Sequence, residues 1–240
     1  MCYHYTLSSP PEKLSVRFDA EILDEYEQLY YHNDGFAHNA MPVITADDPN
    51  SIQRYHWGLV PHLVKTDADA KKLSNQTLNA KSETVFDLPS FKMYIGKKRC
   101  LVLTDGFFEW RHEGKSKYPH FIYMKNKEPF AFAGIYSHWK SPTTGEITKS
   151  YSILTTEANT LMKKIHNSKE RMPVILKPEM EKIWLKPDLM KEEIKDLMLP
   201  LDDNFLTAHT ISKLITSKSE SSNQPQVVDM WEYPELALLG

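Results

Sequence analysis

The chain has 240 residues, of which 41% are hydrophobic and 25% charged, and its formal net charge is −3 at pH 7. That balance belongs to a folded globular chain and excludes a disordered one, and the length fits one compact domain, residues 1–240, better than two. No apolar run approaches the ~18 residues a bilayer helix needs, and Met1-Cys2-Tyr3-His4-Tyr5 shows neither the basic nor the apolar region of a secretory signal. Two cysteines build no disulfide framework and nothing has zinc-ligand spacing, so a cytoplasmic protein without metal or cofactor is expected.

In chain order, residues 19–30 place Ile22, Tyr26, Leu29 and Tyr30 at helical spacing in an acidic stretch. Residues 71–99 reverse the charge with Lys71, Lys72, Lys81, Lys92, Lys97, Lys98 and Arg99, and residues 111–127 are basic as well, which permits a local basic face on an acidic molecule. The middle of the chain reads as antiparallel strands: Cys100–Leu103, then Phe107–Arg111 after the turn signal Thr104-Asp105-Gly106, then His120–Met124, Pro129–Tyr136 and Tyr151–Leu154. A helix is predicted to open near Thr156, whose hydroxyl suits a cap, and to run to Lys164. Met172–Leu176 reads as a strand, Pro187–Met198 as a helix with Pro187 in its first turn, and 217–226 as a polar loop. Helices segregated around antiparallel strands define an α+β domain.

Cys2 is the most informative residue. Removal of Met1 is favoured when the next residue is small, and the chain would then begin with a thiol and an α-amine on one residue. That amine has a pKa of about 7.7–8.0, so much of it is nucleophilic at neutral pH. A 1,2-aminothiol condenses with an aldehyde to an imine, which its own thiol closes to a thiazolidine; the thiol alone can instead attack a carbonyl. Glu109 lies among aromatics in Asp105-Gly106-Phe107-Phe108-Glu109-Trp110, where a raised pKa would suit a general acid/base, although alternation also allows an outward strand carboxylate. His166 is one of ten histidines, and Asn79 sits in Leu78-Asn79-Ala80-Lys81-Ser82-Glu83-Thr84; neither is distinctive by itself.

The ordered blocks are more specific than any one residue. Met1-Cys2, Trp57-Gly58-Leu59-Val60-Pro61, Asn79–Thr84, Asp105–Trp110 and Ile165-His166 with Arg171–Leu176 together resemble the SRAP family, the SOS-response-associated peptidases or abasic-site processing proteins. The resemblance covers about residues 2–176, with the C-terminal part expected to belong to the same domain. It implies a single α+β domain, with antiparallel sheets forming a barrel-like core and helices at the periphery. It also implies a DNA-damage role, in which the N-terminal cysteine crosslinks to abasic sites in single-stranded DNA, with weak lyase activity as a side reaction. On this resemblance Cys2 matches the nucleophile, and Asn79, Glu109 and His166 match the other catalytic positions. His4, Lys81, Arg171 and Leu63 fall where the DNA would lie. A monomer, associated with the nucleoid on damaged DNA, is expected.

Several positions depart from the family pattern. Tyr3-His4 stand for Gly-Arg, removing a fixed charge, and Lys81 stands for arginine, losing the bidentate fork. The run Asn167-Ser168-Lys169-Glu170 replaces a single residue before Arg171-Met172-Pro173. His62, Leu63 and Val64 follow Pro61 where relatives carry tryptophans, offering an apolar wedge and no large stacking platform. Two other readings stand beside the main one: a thiol (auto)peptidase using Cys2 with His166 as base, and a DNA-binding module in which Cys2 is incidental.

Overall fold

The computed structural model describes residues 2–24 and 29–237. Strand β1 (His4–Leu7) and helix α1 (Pro11–Phe18) open the chain, followed by β2 (Glu21–Ile22), β3 (Tyr30–Asp34) and the hairpin of β4 (Ala40–Thr45) with β5 (Asp48–Trp57). Helix α2 (Asp67–Ser74) and β6 (Asn79–Lys81) precede β7 (Arg99–Thr104), β8 (Gly106–Glu113), β9 (Ser116–Met124), β10 (Phe130–Lys140) and β11 (Ile147–Glu157). The remainder is α3 (Thr160–Ile165), β12 (Arg171–Pro173), β13 (Ile175–Leu176), α4 (Pro178–Trp184), α5 (Lys191–Asp196), β14 (Leu206–Thr210) and α6 (Pro234–Ala237).

Five strands close on themselves in the order β11-β10-β7-β4-β5, and the ring is completed by a parallel pairing of Ser150 with His56 and Tyr151 with Trp57. Closure removes the free edges of the ring, and its strands show little alternation because both faces are covered. In β10 every residue from Phe130 to Ser137 is buried. The ring encloses aromatic rings whose polar tips are satisfied: Tyr5 and Tyr151 share a hydroxyl hydrogen bond of 2.8 Å, and Trp57 Nε1 donates to the Leu78 carbonyl at 2.8 Å.

The second sheet is fully antiparallel, in the order β14-β9-β8-β1-β3. The chain passes from ring to sheet at Thr104-Asp105-Gly106. There Thr104 Oγ1 donates to the Thr6 carbonyl at 3.0 Å, and the Asp105 carboxylate accepts from the Ser8 and Ser9 amides at 2.6 and 2.7 Å. Phe107 faces the main core, whereas Phe108 joins a second cluster with Phe121, Ile211, Ile215 and Val227, against which Trp110 packs. The residues after β14 therefore cover the outer face of this sheet.

The strands expected from Cys100 to Leu176 are present, with Val174 dividing the last into two short ones. Three helix expectations require correction. Asp19 is the left-handed cap (φ 53°) of the earlier helix α1, and Glu21-Ile22 pair in parallel with Ser51-Ile52, so strand pairing overrides the helical spacing there. Residues 25–28 of that expected helix lie outside the described residues. Thr156 belongs to β11, where it faces Met172; the cap of α3 is Asn159, whose Oδ1 accepts from the Met162 amide at 2.9 Å. Pro178, rather than Pro187, opens a helix, and α5 begins only at Lys191, where the Met190 amide donates to Glu193 Oε2 at 2.7 Å. Buried Arg99 holds this region through backbone carbonyls, donating to those of Trp184 and Ile95 at 2.8 and 2.9 Å, and to those of Gly96 and Lys186.

Candidate active site

Four distant segments meet where the ring and the second sheet join. Cys2 precedes β1 and is fully buried, its Sγ donating weakly to the His4 carbonyl at 3.6 Å. Met1, and with it the expectation of its removal, lies outside the described residues. β6 runs parallel to β11, pairing Asn79 with Ile153, and this brings Asn79 Nδ2 within 2.8 Å of the Cys2 carbonyl oxygen, to which it donates. Asn79 Oδ1 is buried without a hydrogen-bond partner among the described residues.

Glu109, on β8, shares a face with Phe107 and is turned inward rather than to solvent. Alternation is preserved, but both faces of β8 are covered, so it does not separate core from surface there. Burial pushes the Glu109 carboxyl up to about 8. His166 caps the C-terminal end of α3, with its Nδ1 2.8 Å from the Arg171 carbonyl and 3.6 Å from Glu109 Oε1. A carbonyl only accepts, so Nδ1 carries the proton and Nε2 the lone pair. Burial holds His166 down at about 4, with nearby His112 and Lys169 adding to the effect. Burial likewise pushes the Cys2 thiol well above its ordinary range, and Glu109 adds to that.

Glu109 and His166 line a cleft of about 710 Å³, where Glu109 is the single acid among the described lining residues and Lys81, Lys117, Lys169 and Arg171 are the main cations; Cys2 and Asn79 are buried beside them and are not part of its lining. The structure brings Cys2, Asn79, Glu109, His166, His4, Lys81 and Arg171 together, and it does not bring Leu63 into the cleft. Leu63 is 66% exposed, beside a separate groove with Lys65 and Lys72. The Arg171 guanidinium is engaged: it forms a bidentate pair with Glu83 and donates to the Thr155 carbonyl at 2.8 Å. His4 Nδ1 lies 2.9 Å from His32 Nε2, and His32 Nδ1 lies 2.6 Å from Ser222 Oγ. Burial lowers the pKa of both rings, so at neutral pH this pair does not replace a fixed charge.

His32, Glu83, Lys117 and Lys169 were not singled out as site residues from sequence. Glu83 stood inside a recognised block, but its pairing with Arg171 spans 88 residues; nothing in the sequence around His32 marks it. Among the described residues, no helix is long and apolar enough to cross a membrane, and no group of three or more His, Cys, Asp or Glu is placed to hold a metal ion.

By fold and by sequence the chain belongs to a known family. The family model described as SOS response associated peptidase (SRAP) matches residues 1–218. Among individual relatives, "Abasic site processing protein YoqW" of Bacillus subtilis (strain 168) is 33% identical over 232 residues, covering 95% of this chain and 99% of its own. "Abasic site processing protein HMCES" of Gallus gallus is 34% identical over 183 residues, covering 67% of this chain and 52% of its own. A solved structure of a Bacteroides thetaiotaomicron protein superposes with a TM-score of 0.89 at 38% identity, covering 96% of this chain and all of that one.

Proposed function

We propose that this protein captures abasic sites in single-stranded DNA as a covalent adduct through the aminothiol that Cys2 presents once Met1 is gone. The observation that carries the reading is the convergence of Cys2 and its partner Asn79 on Glu109 and His166, which line a basic cleft.

The chemistry follows from the protonation states. The Cys2 α-amine adds to the C1′ aldehyde of the open sugar, giving a carbinolamine. Glu109, still protonated at neutral pH, gives its proton to the departing hydroxyl, and water leaves as the imine forms. The Cys2 sulfur then bonds to the imine carbon while the nitrogen takes up a proton, closing a thiazolidine with the net loss of one water. His166, neutral and with its lone pair on Nε2, relays the protons. Asn79 fixes the Cys2 carbonyl, and with it the direction in which the amine points. Lys81 and the other cations hold phosphates, a sequence-independent contribution, and Leu63 lies on a path the strand can follow beyond the cleft. Thiazolidine closure competes with β-elimination of the 3′ phosphate from the imine, so strand cleavage is a minor side reaction. A buried thiol with a raised pKa disfavours a resting thiolate, which favours attack by the amine over a thiol-peptidase reading.

Intact mass of the purified protein with and without single-stranded DNA bearing one abasic site tests this. The expected adduct is the protein lacking Met1, plus the oligonucleotide, less one water. No adduct from protein that the same spectrum shows to lack Met1 overturns the reading.

A further inference from the structure

The segment 167–170 is held in one shape. Asn167 Oδ1 accepts from the His112 amide at 3.0 Å, and Asn167 Nδ2 donates to the His112 carbonyl at 2.8 Å, so one side chain satisfies both backbone groups at the end of β8. The turn closes on itself with the Glu170 amide donating to the His166 carbonyl at 2.8 Å, and Glu170 takes the left-handed region (φ 51°). The Ala158 amide then donates to the Glu170 carbonyl at 2.9 Å.

This clamp sets Ser168 and Lys169 on the wall of the cleft beside His112 and Lys117, which β9 supplies opposite His112 in register. Of the other two cations that line the cleft, Arg171 is already engaged by Glu83, leaving Lys81. Lys117 and Lys169 are exposed and form no ion pair with a carboxylate among the described residues.

We infer that the clamped loop is a phosphodiester-binding wall, in which Lys169 and Lys117 hold one backbone phosphate beside the reacting sugar and Asn167 acts as the positioning residue that presents Lys169. This deepens the reading above and rests on it. The cleft then offers two phosphate contacts, Lys81 and the lysine pair, to a strand that enters it.

The test uses the full chain and single-stranded oligonucleotides carrying a tetrahydrofuran abasic analogue, which has no aldehyde, so binding is read apart from covalent capture. Two further oligonucleotides each carry one uncharged methylphosphonate, 5′ or 3′ of the analogue. Lys169→Ala is expected to weaken binding of the charged strand roughly three- to tenfold and to flatten the log–log salt slope by about 0.7. One of the two methylphosphonates should weaken the wild type by a similar factor, and on that strand Lys169→Ala should add nothing. Lys117→Ala should show the same pattern on the same strand, and Asn167→Ala should reduce the effect of a second change at Lys169. Equal binding by Lys169→Ala and wild type overturns the inference, as does the same loss on all three strands. Wild-type binding with a measurable salt slope but no covalent adduct on authentic abasic DNA is the distinct outcome that fails the capture reading and leaves the phosphate wall standing.

Discussion

His166 Nδ1 and Glu109 Oε1 lie 3.6 Å apart, within ion-pair distance, yet neither group is charged at neutral pH. Burial raises Glu109 to about 8 and lowers His166 to about 4, so the pair is a carboxylic acid beside a neutral imidazole. Two titratable groups pushed in opposite directions give a proton donor and a proton acceptor at one pH.

Glu109→Gln keeps the size and hydrogen-bonding capacity of the side chain but cannot transfer a proton. Single-turnover adduct formation should slow by roughly 10²–10⁴-fold. In the wild type the rate should rise as the α-amine deprotonates near its pKa of about 7.7–8.0, then fall as Glu109 ionises around 8. The variant should lose the alkaline fall. A folded Glu109→Gln protein with the wild-type rate from pH 5 to 9 would return Glu109 to a structural carboxyl.

The same shift makes a stability prediction. Native Glu109 keeps its proton up to about 8, while the unfolded chain releases it near 4.5, so between those values the native state binds more protons and its stability falls as pH rises. Glu109→Gln should remove that decline, gaining melting temperature relative to wild type at pH 8 and little at pH 4. His166 acts in the other direction, its contribution being lost as pH falls from 6.5 toward about 4. Melting curves of wild type, Glu109→Gln and His166→Gln across this range measure each part.

Cys2→Ala retains a small second residue, and so an α-amine after Met1 removal, but no thiol. It should yield no heat-stable adduct with abasic single-stranded DNA, while borohydride traps the imine and non-covalent binding stays within a few-fold of wild type. A heat-stable crosslink at wild-type yield without borohydride would remove the thiol from the chemistry.

Glu83→Gln should strengthen DNA binding, because it frees the Arg171 guanidinium from its carboxylate. The salt slope should steepen by up to about 0.7, one further phosphate contact on a single strand. Weaker binding by this variant would show that the pair matters for holding Arg171 in place more than Arg171 matters as a cation.

Gly106→Ala tests the passage from ring to sheet. An added Cβ would meet the Phe121 ring and lie 2.7 Å from the Ile122 carbonyl oxygen, a backbone atom that cannot turn aside. Overpacking of this kind costs about 1–3 kcal/mol, read as a lowered urea midpoint with unchanged slope.

Gly106 also shows what sequence reading could reach. It stood there as part of a turn signal, whereas its place is set by the close approach of β9, which only the pairing of Phe107 with Ile122 reveals. The strands from Cys100 to Leu154 were legible because their apolar runs and turns are local. Cys2 and Glu109 could be argued from their own chemistry, whereas Asn79 and His166 came from the ordered motif blocks, since neither is distinctive alone. Residues 19–30 misled because their helical spacing is real, but neighbouring strands take the backbone hydrogen bonds of Glu21-Ile22. The partners of the site, His32 on His4 and Glu83 on Arg171, are joined across 28 and 88 residues, and no local pattern encodes such pairs.

The parallel seam between β5 and β11 has a consequence for synthesis. β5 joins β11 at Ser150 and Tyr151, and β6 continues along the same strand from Ile153, so the wall that encloses Cys2 is complete only after residues near 155 have left the ribosome. Contacts of such sequence separation form late and slowly. The hydrogen bond of Asn79 with the Cys2 carbonyl already spans 77 positions. On the function proposed above, a nascent chain that has lost Met1 carries its aminothiol unshielded until that wall forms, open to any small aldehyde. A chain whose ring closes slowly should accumulate terminal adducts before it ever meets DNA.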